Sequence, residues 1–140
     1  MAYWLVKSEP DAFSWSQQVA NKVEPWTGVR NHMAKNNLKA MKTGDHAFFY
    51  HSNIGKEIVG IMKVIALAHP DSTAEPNDKG KIIWECVDVT PVKPLKTPVT
   101  LETIKVTPGL EDMSLIKYSR LSVQPVTDKE WAIISKLGGL

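Results

Sequence analysis

Across residues 24–52 the apolar period of the chain switches from helical to strand-like, and this switch restricts the fold more tightly than any other feature. Met33, Leu38 and Met41, with Ala34 and Ala40, recur at rough helical spacing, while Lys35, Asn36, Asn37, Lys39 and Lys42 fall mostly between them. The spacing predicts a helix that begins near Arg30-Asn31-His32 and stops before Gly44. Thr43-Gly44-Asp45 then reads as a turn, because glycine accepts positive φ without a Cβ clash. Ala47-Phe48-Phe49-Tyr50 has the aromatic bias of a strand, and His51-Ser52-Asn53 places polar groups at its end. Trp26 precedes all this in a loop between Glu24-Pro25 and Thr27-Gly28. No apolar period places it inside, so it is expected to face a ligand rather than the core.

Upstream, Tyr3-Trp4-Leu5-Val6-Lys7 carries apolar residues on both faces of a strand, which predicts burial on both sides, and Ser8-Glu9-Pro10-Asp11 stops it. Ser14 and Gln17 form a reciprocal capping pattern for a short helix reaching about Asn21. Downstream, residues 57–69 are rich in β-branched side chains and should form a hairpin with residues 47–51. Gly60 within that run marks a bulge or bend. Residues 70–81 shift to Pro, Asp, Ser, Glu, Asn and Gly, the composition of an exposed, mobile loop. Residues 82–92 read as a long strand, and Pro91, Pro94 and Pro98 confine residues 91–99 to extended or edge structure. Thr100 opens a short helix, residues 110–115 another helical turn, and residues 122–126 a last strand. Thr127 and Glu130 cap a final helix with Trp131, Ile134 and Leu137 on its apolar side, ended by Gly138-Gly139.

Strands mixed with short helices give an α+β fold with a curved, mostly antiparallel sheet, and 140 residues suit a single domain over residues 1–140. No apolar run approaches the ~20 residues of a membrane span, so no membrane association is expected. The N-terminus lacks a secretory pattern and Cys86 is the one cysteine, which together predict a soluble protein of the reducing cytoplasm. Net charge is only +2, from 17 Lys and Arg against 15 acids, so an anion-binding surface has to arise by local segregation. The acid-free segment 35–42 is one such place, although an ordinary solvated helix face explains it equally well.

Enzyme chemistry finds little support. His32, His46, His51, His69 and Cys86 show none of the paired spacings of a metal site. Ser8, Ser52, His51 and Glu9 can be combined on paper into a hydrolytic set, but no Gly-x-Ser-x-Gly elbow accompanies them, and no glycine-rich phosphate loop is present. The reading is therefore of a chain without metal, cofactor or catalytic residues. Nothing specifies an oligomeric state. Trp4, Trp15, Trp84 and Trp131 sit within strand or helix patterns and are expected to pack.

Several blocks carry a family likeness. Trp26, Gly28-Val29-Arg30-Asn31, Asn37-Leu38, Met41-Lys42-x-Gly44-Asp45 and Phe49-Tyr50-His51-Ser52 together resemble the core signature of the EVE domain family. Tyr3 to Pro10, Lys56-Glu57-Ile58-Val59-Gly60 and Ser119 to Val126 agree with it, in the family's order, from residue 3 to 131. The resemblance implies a PUA-like pseudobarrel flanked by short helices, similar to the YTH domains that read methylated adenine in RNA. It also implies a pocket at the barrel mouth for a flipped or unpaired modified base in DNA or RNA. Family members that resemble oxidised-methylcytosine readers make modified cytosine the first expectation.

On that reading Trp26 supplies a stacking face, while Ser8, Glu9, Arg30, Asn31, His51 and Ser52 supply base-edge and phosphate groups. Arg120 either pairs with an acid near the pocket or meets a phosphate. Taken singly, each has a structural role of equal merit: Trp26 in packing, Arg30 as a surface cation, Asn31 as a helix N-cap, Ser8 in a turn and His51 at a strand rim. The competing function is a sensor or enzyme that takes a free nucleotide or other small heterocycle in the same pocket.

Overall fold

Strands β1 (Tyr3–Ser8) and β3 (His46–His51) lie parallel at the middle of the sheet, with Tyr3 opposite His46 and Ser8 opposite His51, in a computed structural model that describes residues 1–140. Around this pair, β4 (Glu57–Pro70), β5 (Glu85–Thr100) and β2 (Glu24–Pro25) extend one side antiparallel, and β6 (Val123–Val126) pairs antiparallel with β1 on the other. The order is therefore β2-β5-β4-β3-β1-β6, with β1 and β3 the one parallel neighbour pair. Five short helices cover the sheet: α1 (Trp15–Asn21), α2 (His32–Ala40), α3 (Leu101–Val106), α4 (Ser114–Lys117) and α5 (Asp128–Leu137). None is long and apolar enough to cross a membrane.

The sheet is covered on both faces, because side chains of one strand point alternately to opposite sides. Trp4 and Val6 enter one core with Ala47, Phe49, Met62, Trp26 and the α2 residues Ala34 and Leu38. Leu5 enters the other with Phe48, Tyr50, Ile58, Ile104, Leu115 and Ile134, under helices α3, α4 and α5. Leu5, Phe48 and Phe49 have no exposed surface, and each such burial contributes about 1.5–3 kcal/mol. Helices start where capping chemistry allows it. Ser14 with Gln17 and Thr127 with Glu130 form complete capping boxes, Thr100 caps α3, and the Asn31 side chain accepts the Ala34 N–H at 2.9 Å.

Asp45 ties the turn after α2 to the start of β1. Its carboxylate accepts Trp4 Nε1–H at 3.0 Å, the Lys42 N–H at 2.9 Å and the Ala2 N–H at 3.1 Å. Burial pushes this carboxyl up, but the hydrogen bonds outweigh it and hold it below its ordinary value.

Two expectations need correction. Strand β4 runs on to Pro70, and the segment beyond it is not wholly exposed: Asp71 is fully buried and Ala74 nearly so. Residues 82–84 are not strand, because ladder pairing with β4 begins only at Glu85. Beyond its two-residue partner β2, the outer edge of β5 holds Pro91, Pro94 and Pro98, and the Lys96 and Thr97 N–H groups donate to the Gly138 carbonyl at 2.9 and 3.1 Å.

Gly60 sits where the β3–β4 and β4–β5 registers slip. A Cβ there would meet the Trp15 ring at 2.5 Å, so the absent side chain is what lets α1 approach β4. Gly60→Ala is expected to lower stability by about 1–3 kcal/mol through overpacking, read as a lower urea midpoint at unchanged m-value.

Candidate functional site

Because β1 and β3 are parallel and their middles are buried on both faces, the polar residues that follow them emerge together at one rim. Ser8-Glu9 leaves β1 there, and Ser52-Asn53 leaves β3 beside it, with the Ser52 N–H donating to the Ser8 carbonyl at 2.9 Å. The segment 119–122, which leads into β6, reaches the same rim, where the Lys7 N–H donates to the Ser122 carbonyl at 2.9 Å. The carboxyl ends of parallel strands are a recurrent place for ligand crevices, since chain segments diverge there and leave space.

Two clefts flank Lys7. The first, about 540 Å³, is lined by Lys7, Glu9, Tyr50, Ser52, Asn53, Lys56, Ser119, Arg120 and Ser122, with Leu101 and Leu115 as apolar wall. The second, about 310 Å³, is bounded by Ser8, Ala12, Phe13, Glu24, Pro25, Trp26 and Thr27. The first is cationic, with Lys7, Lys56 and Arg120 against one acid. The Glu9 carboxylate accepts Asn53 Nδ2–H at 3.0 Å, bridging the two rim loops. Lys7 Nζ donates to the Ser119 carbonyl at 2.6 Å and lies 5.8 Å from the Tyr50 ring centroid, and burial pushes its pKa down. The side chains of Lys56 and Arg120 have no carboxylate or hydrogen-bond partner in the protein. Buried Gln124 places the loop that carries Arg120, donating through Nε2 to the carbonyls of Leu121 at 2.8 Å and Tyr118 at 3.2 Å.

The expected site residues divide. Ser8, Glu9, Trp26, Ser52 and Arg120 line one or other cleft. Trp26 is nevertheless a core residue, which corrects the expectation that it stands outside the core. It is 7% exposed, meets Phe49 and Phe13 edge-on at 5.5 and 6.0 Å, and its backbone N–H donates to the Val87 carbonyl. Its remaining exposed edge borders the second cleft. The Ser8 hydroxyl donates to the Phe13 carbonyl at 2.5 Å and so fixes the turn under that cleft.

Arg30, Asn31 and His51 line neither cleft and hold structure instead. Asn31 is spent as the α2 cap. His51 Nε2 accepts the Trp15 N–H at 3.1 Å at the first turn of α1, which requires that nitrogen unprotonated, and burial pushes its pKa down with partial offset from Glu57. Arg30 donates to Asp71 Oδ2 at 3.0 Å and to Thr73 Oγ1 at 3.2 Å. Asp71 also accepts the Gly28 N–H at 2.8 Å, so this buried carboxylate clamps the loop after Trp26 to the loop after β4. Gly28 has φ of +88°, a conformation that only glycine adopts freely. Lys7, Tyr50, Lys56, Asn53 and Ser119 were missed because each reads as an ordinary strand or loop residue. The visible signals were that Lys7 ends the strand expected to be buried on both faces and that Asn53 belongs to the polar end of the 47–50 strand.

Comparison with known proteins adds the family. The EVE domain family matches over residues 2–137. Thymocyte nuclear protein 1 of the mouse is 39% identical, over 96% of this chain and 73% of its own. A crystal structure from Agrobacterium tumefaciens is 51% identical with a TM-score of 0.94, covering 100% of this chain and 94% of that one. Human THYN1 protein, solved in complex with DNA containing 5-methylcytosine, is 33% identical with a TM-score of 0.90, covering 100% and 99%. A YTH domain of Zygosaccharomyces rouxii shares the fold at a TM-score of 0.61 and 14% identity, over 98% of this chain and 86% of that one.

The clamp is testable by pH. Burial raises the Asp71 carboxyl, but hydrogen bonds from Thr73, Gly28 and Arg30 outweigh it and bring it down to about 2. Because the folded value lies below the unfolded one, near ~4, its contribution is complete above pH ~4 and lost as pH falls toward ~2. The magnitude is on the order of 2 kcal/mol. Urea unfolding from pH 5 to 2 is expected to show a smaller loss for Asp71→Asn, which starts less stable, than for the wild type; parallel profiles would refute the clamp.

Proposed function

The chain belongs to the EVE domain family, and from that premise we propose that it is a non-enzymatic module that binds nucleic acid carrying a modified base. The observation that carries the reading is the pairing of an aromatic cleft with a cationic one on either side of Lys7. A base taken out of its stack needs a flat apolar wall for its face and hydrogen-bonding groups for its edge. Phe13 and the small exposed part of Trp26 give the second cleft its apolar side, and the Thr27 hydroxyl stands beside it. The strand that carries the base needs cations without acid partners, and Lys56 and Arg120 meet that condition in the adjoining cleft. Human THYN1 protein, similar over the whole chain, was solved with DNA containing 5-methylcytosine, which supports modified cytosine as the first ligand to try.

A binding role also agrees with how the polar groups are spent. The Ser8 hydroxyl donates to a backbone carbonyl and His51 Nε2 accepts a backbone N–H, so neither pairs with the other as nucleophile and base. Lys7 is held between Ser119 and Tyr50, a fixed donor near both clefts.

The test is a titration of the protein with an oligonucleotide carrying one 5-methylcytosine, against the unmodified strand and the free nucleoside, at several salt concentrations. Preference for the modified strand and a fall in affinity with salt are expected. Arg120→Ala should weaken binding to all strands alike and reduce the salt slope by about one. Trp26→Ala would cost about 3–5 kcal/mol of folding stability, so Trp26→Phe serves for binding, with an expected loss of up to about 1 kcal/mol specific to the modified base. Equal, salt-independent affinity for nucleoside and strand would instead favour a small-molecule sensor.

A further inference from the structure

One cluster of ligating side chains lies outside both clefts. The β4–β5 ladder sets His69 directly opposite Cys86, and Asp88 comes two residues later on the same face of β5. His69 Nε2 and Asp88 Oδ1 are 2.9 Å apart, and Cys86 Sγ lies 3.8 Å from Nε2 and 3.7 Å from Nδ1. One ligand atom from each of the three residues falls within 4.8 Å of the others. The sulfur is buried at the floor, while the His69 and Asp88 side chains are 40% and 29% exposed and open to solvent. Between Ala66 and His69 the register slips, so the ladder does not itself hold the strands in step there.

Two ordinary roles fit less well. A Cys-His-Asp nucleophile would need a sulfur that a substrate can reach, whereas this one is buried beneath His69 and Asp88. A simple His69–Asp88 pair accounts for two of the residues but not for the sulfur beneath them. The three donors together match a borderline-soft divalent ion. With bonds of about 2.0–2.2 Å to nitrogen and oxygen and about 2.3 Å to sulfur, a tetrahedral centre needs about 3.3 Å between N and O and about 3.6 Å between N and S. The observed 2.9 and 3.8 Å lie within about 0.4 Å of these values, and the Asp88 oxygen and the sulfur, within 4.8 Å, are the pair with most to close.

We infer that His69, Cys86 and Asp88 form a binding site for a zinc-like divalent transition metal, with the fourth position open to solvent. On binding, the Cys86 S–H bond breaks, the proton leaves to solvent and a sulfur–metal bond forms. The carboxylate and a neutral imidazole add the other two bonds. The ion joins β4 to β5 across the register slip. Val87, between the two β5 ligands, points into the opposite core and holds the Trp26 N–H through its carbonyl, so the ion would stiffen the strand on which the aromatic cleft hangs. This site stands apart from the proposed nucleic-acid function and survives if that reading fails.

Cobalt(II) is the decisive probe, because Cys86 is the one cysteine and a thiolate-to-cobalt charge-transfer band can come from nowhere else. Chelator-treated full-length protein without a histidine tag is expected to take up one equivalent, show that band and the visible bands of a tetrahedral centre, and lose both to added zinc. Its melting temperature should rise with zinc concentration. His69→Ala and Asp88→Asn, at half-exposed positions, should fold normally and bind about tenfold or more weakly. Cys86→Ser should abolish the band. A wild-type protein that binds no metal, or binds cobalt without the sulfur band, or a folded His69→Ala variant that binds as tightly as wild type, would overturn the assignment.

Discussion

The parallel pairing of β1 with β3 is the constraint on which the rest of the molecule depends. The middle of each strand is buried on both faces, so polar side chains reach solvent only toward the strand ends: Tyr3 and His46 at the amino end, and Lys7, Ser8 and His51 at the shared carboxyl end. Every segment that leaves the sheet at that rim, after β1, after β3 and before β6, therefore contributes to one site. One cleft opens on each side of the β1 terminus, the first walled by Leu101 of α3 and Leu115 of α4, the second by the segments that flank α1.

Much of this was legible locally. The double-faced apolar run at Trp4-Leu5-Val6 foretold a central strand, and the capping pairs at Ser14 and Thr127 marked helix starts that the structure keeps. Gly60 was legible as a place where the sheet must bend, although not that a tryptophan would fill its vacant side. The features that escaped depend on partners distant in the chain. Asp71 looked like a loop residue, and only the fold brings Gly28 and Arg30 to it from more than 40 residues away. Trp26 gave no apolar period because it stands alone in its loop and is buried by Phe13 and Phe49 rather than by its own neighbours. His69, Cys86 and Asp88 lack any metal-site spacing, since their proximity comes from strand register.

The polar residues named from sequence therefore fall into two working groups that cooperate. Arg30, Asn31 and His51 fix the start of α2, the loop beyond Trp26 and the first turn of α1, each through a backbone or buried partner. Ser8, Ser52, Glu9 and Arg120 stand at the clefts that those contacts hold open. A family signature can mix both groups, because losing a positioning contact displaces a cleft wall as surely as losing the wall itself.

The outer edge of β5 has a consequence of a different kind. An exposed strand edge is a template on which a second chain can add by backbone pairing, the first step of sheet-to-sheet aggregation. Here three prolines remove donors from that edge, two of its remaining N–H groups are taken by the Gly138 carbonyl, and Lys93 and Lys96 add charge beside them. The last turn of α5 thus does more than close the core. It guards the longest strand of the protein against recruitment by its own neighbours in a crowded solution, and a chain shortened before Gly138 would expose that edge.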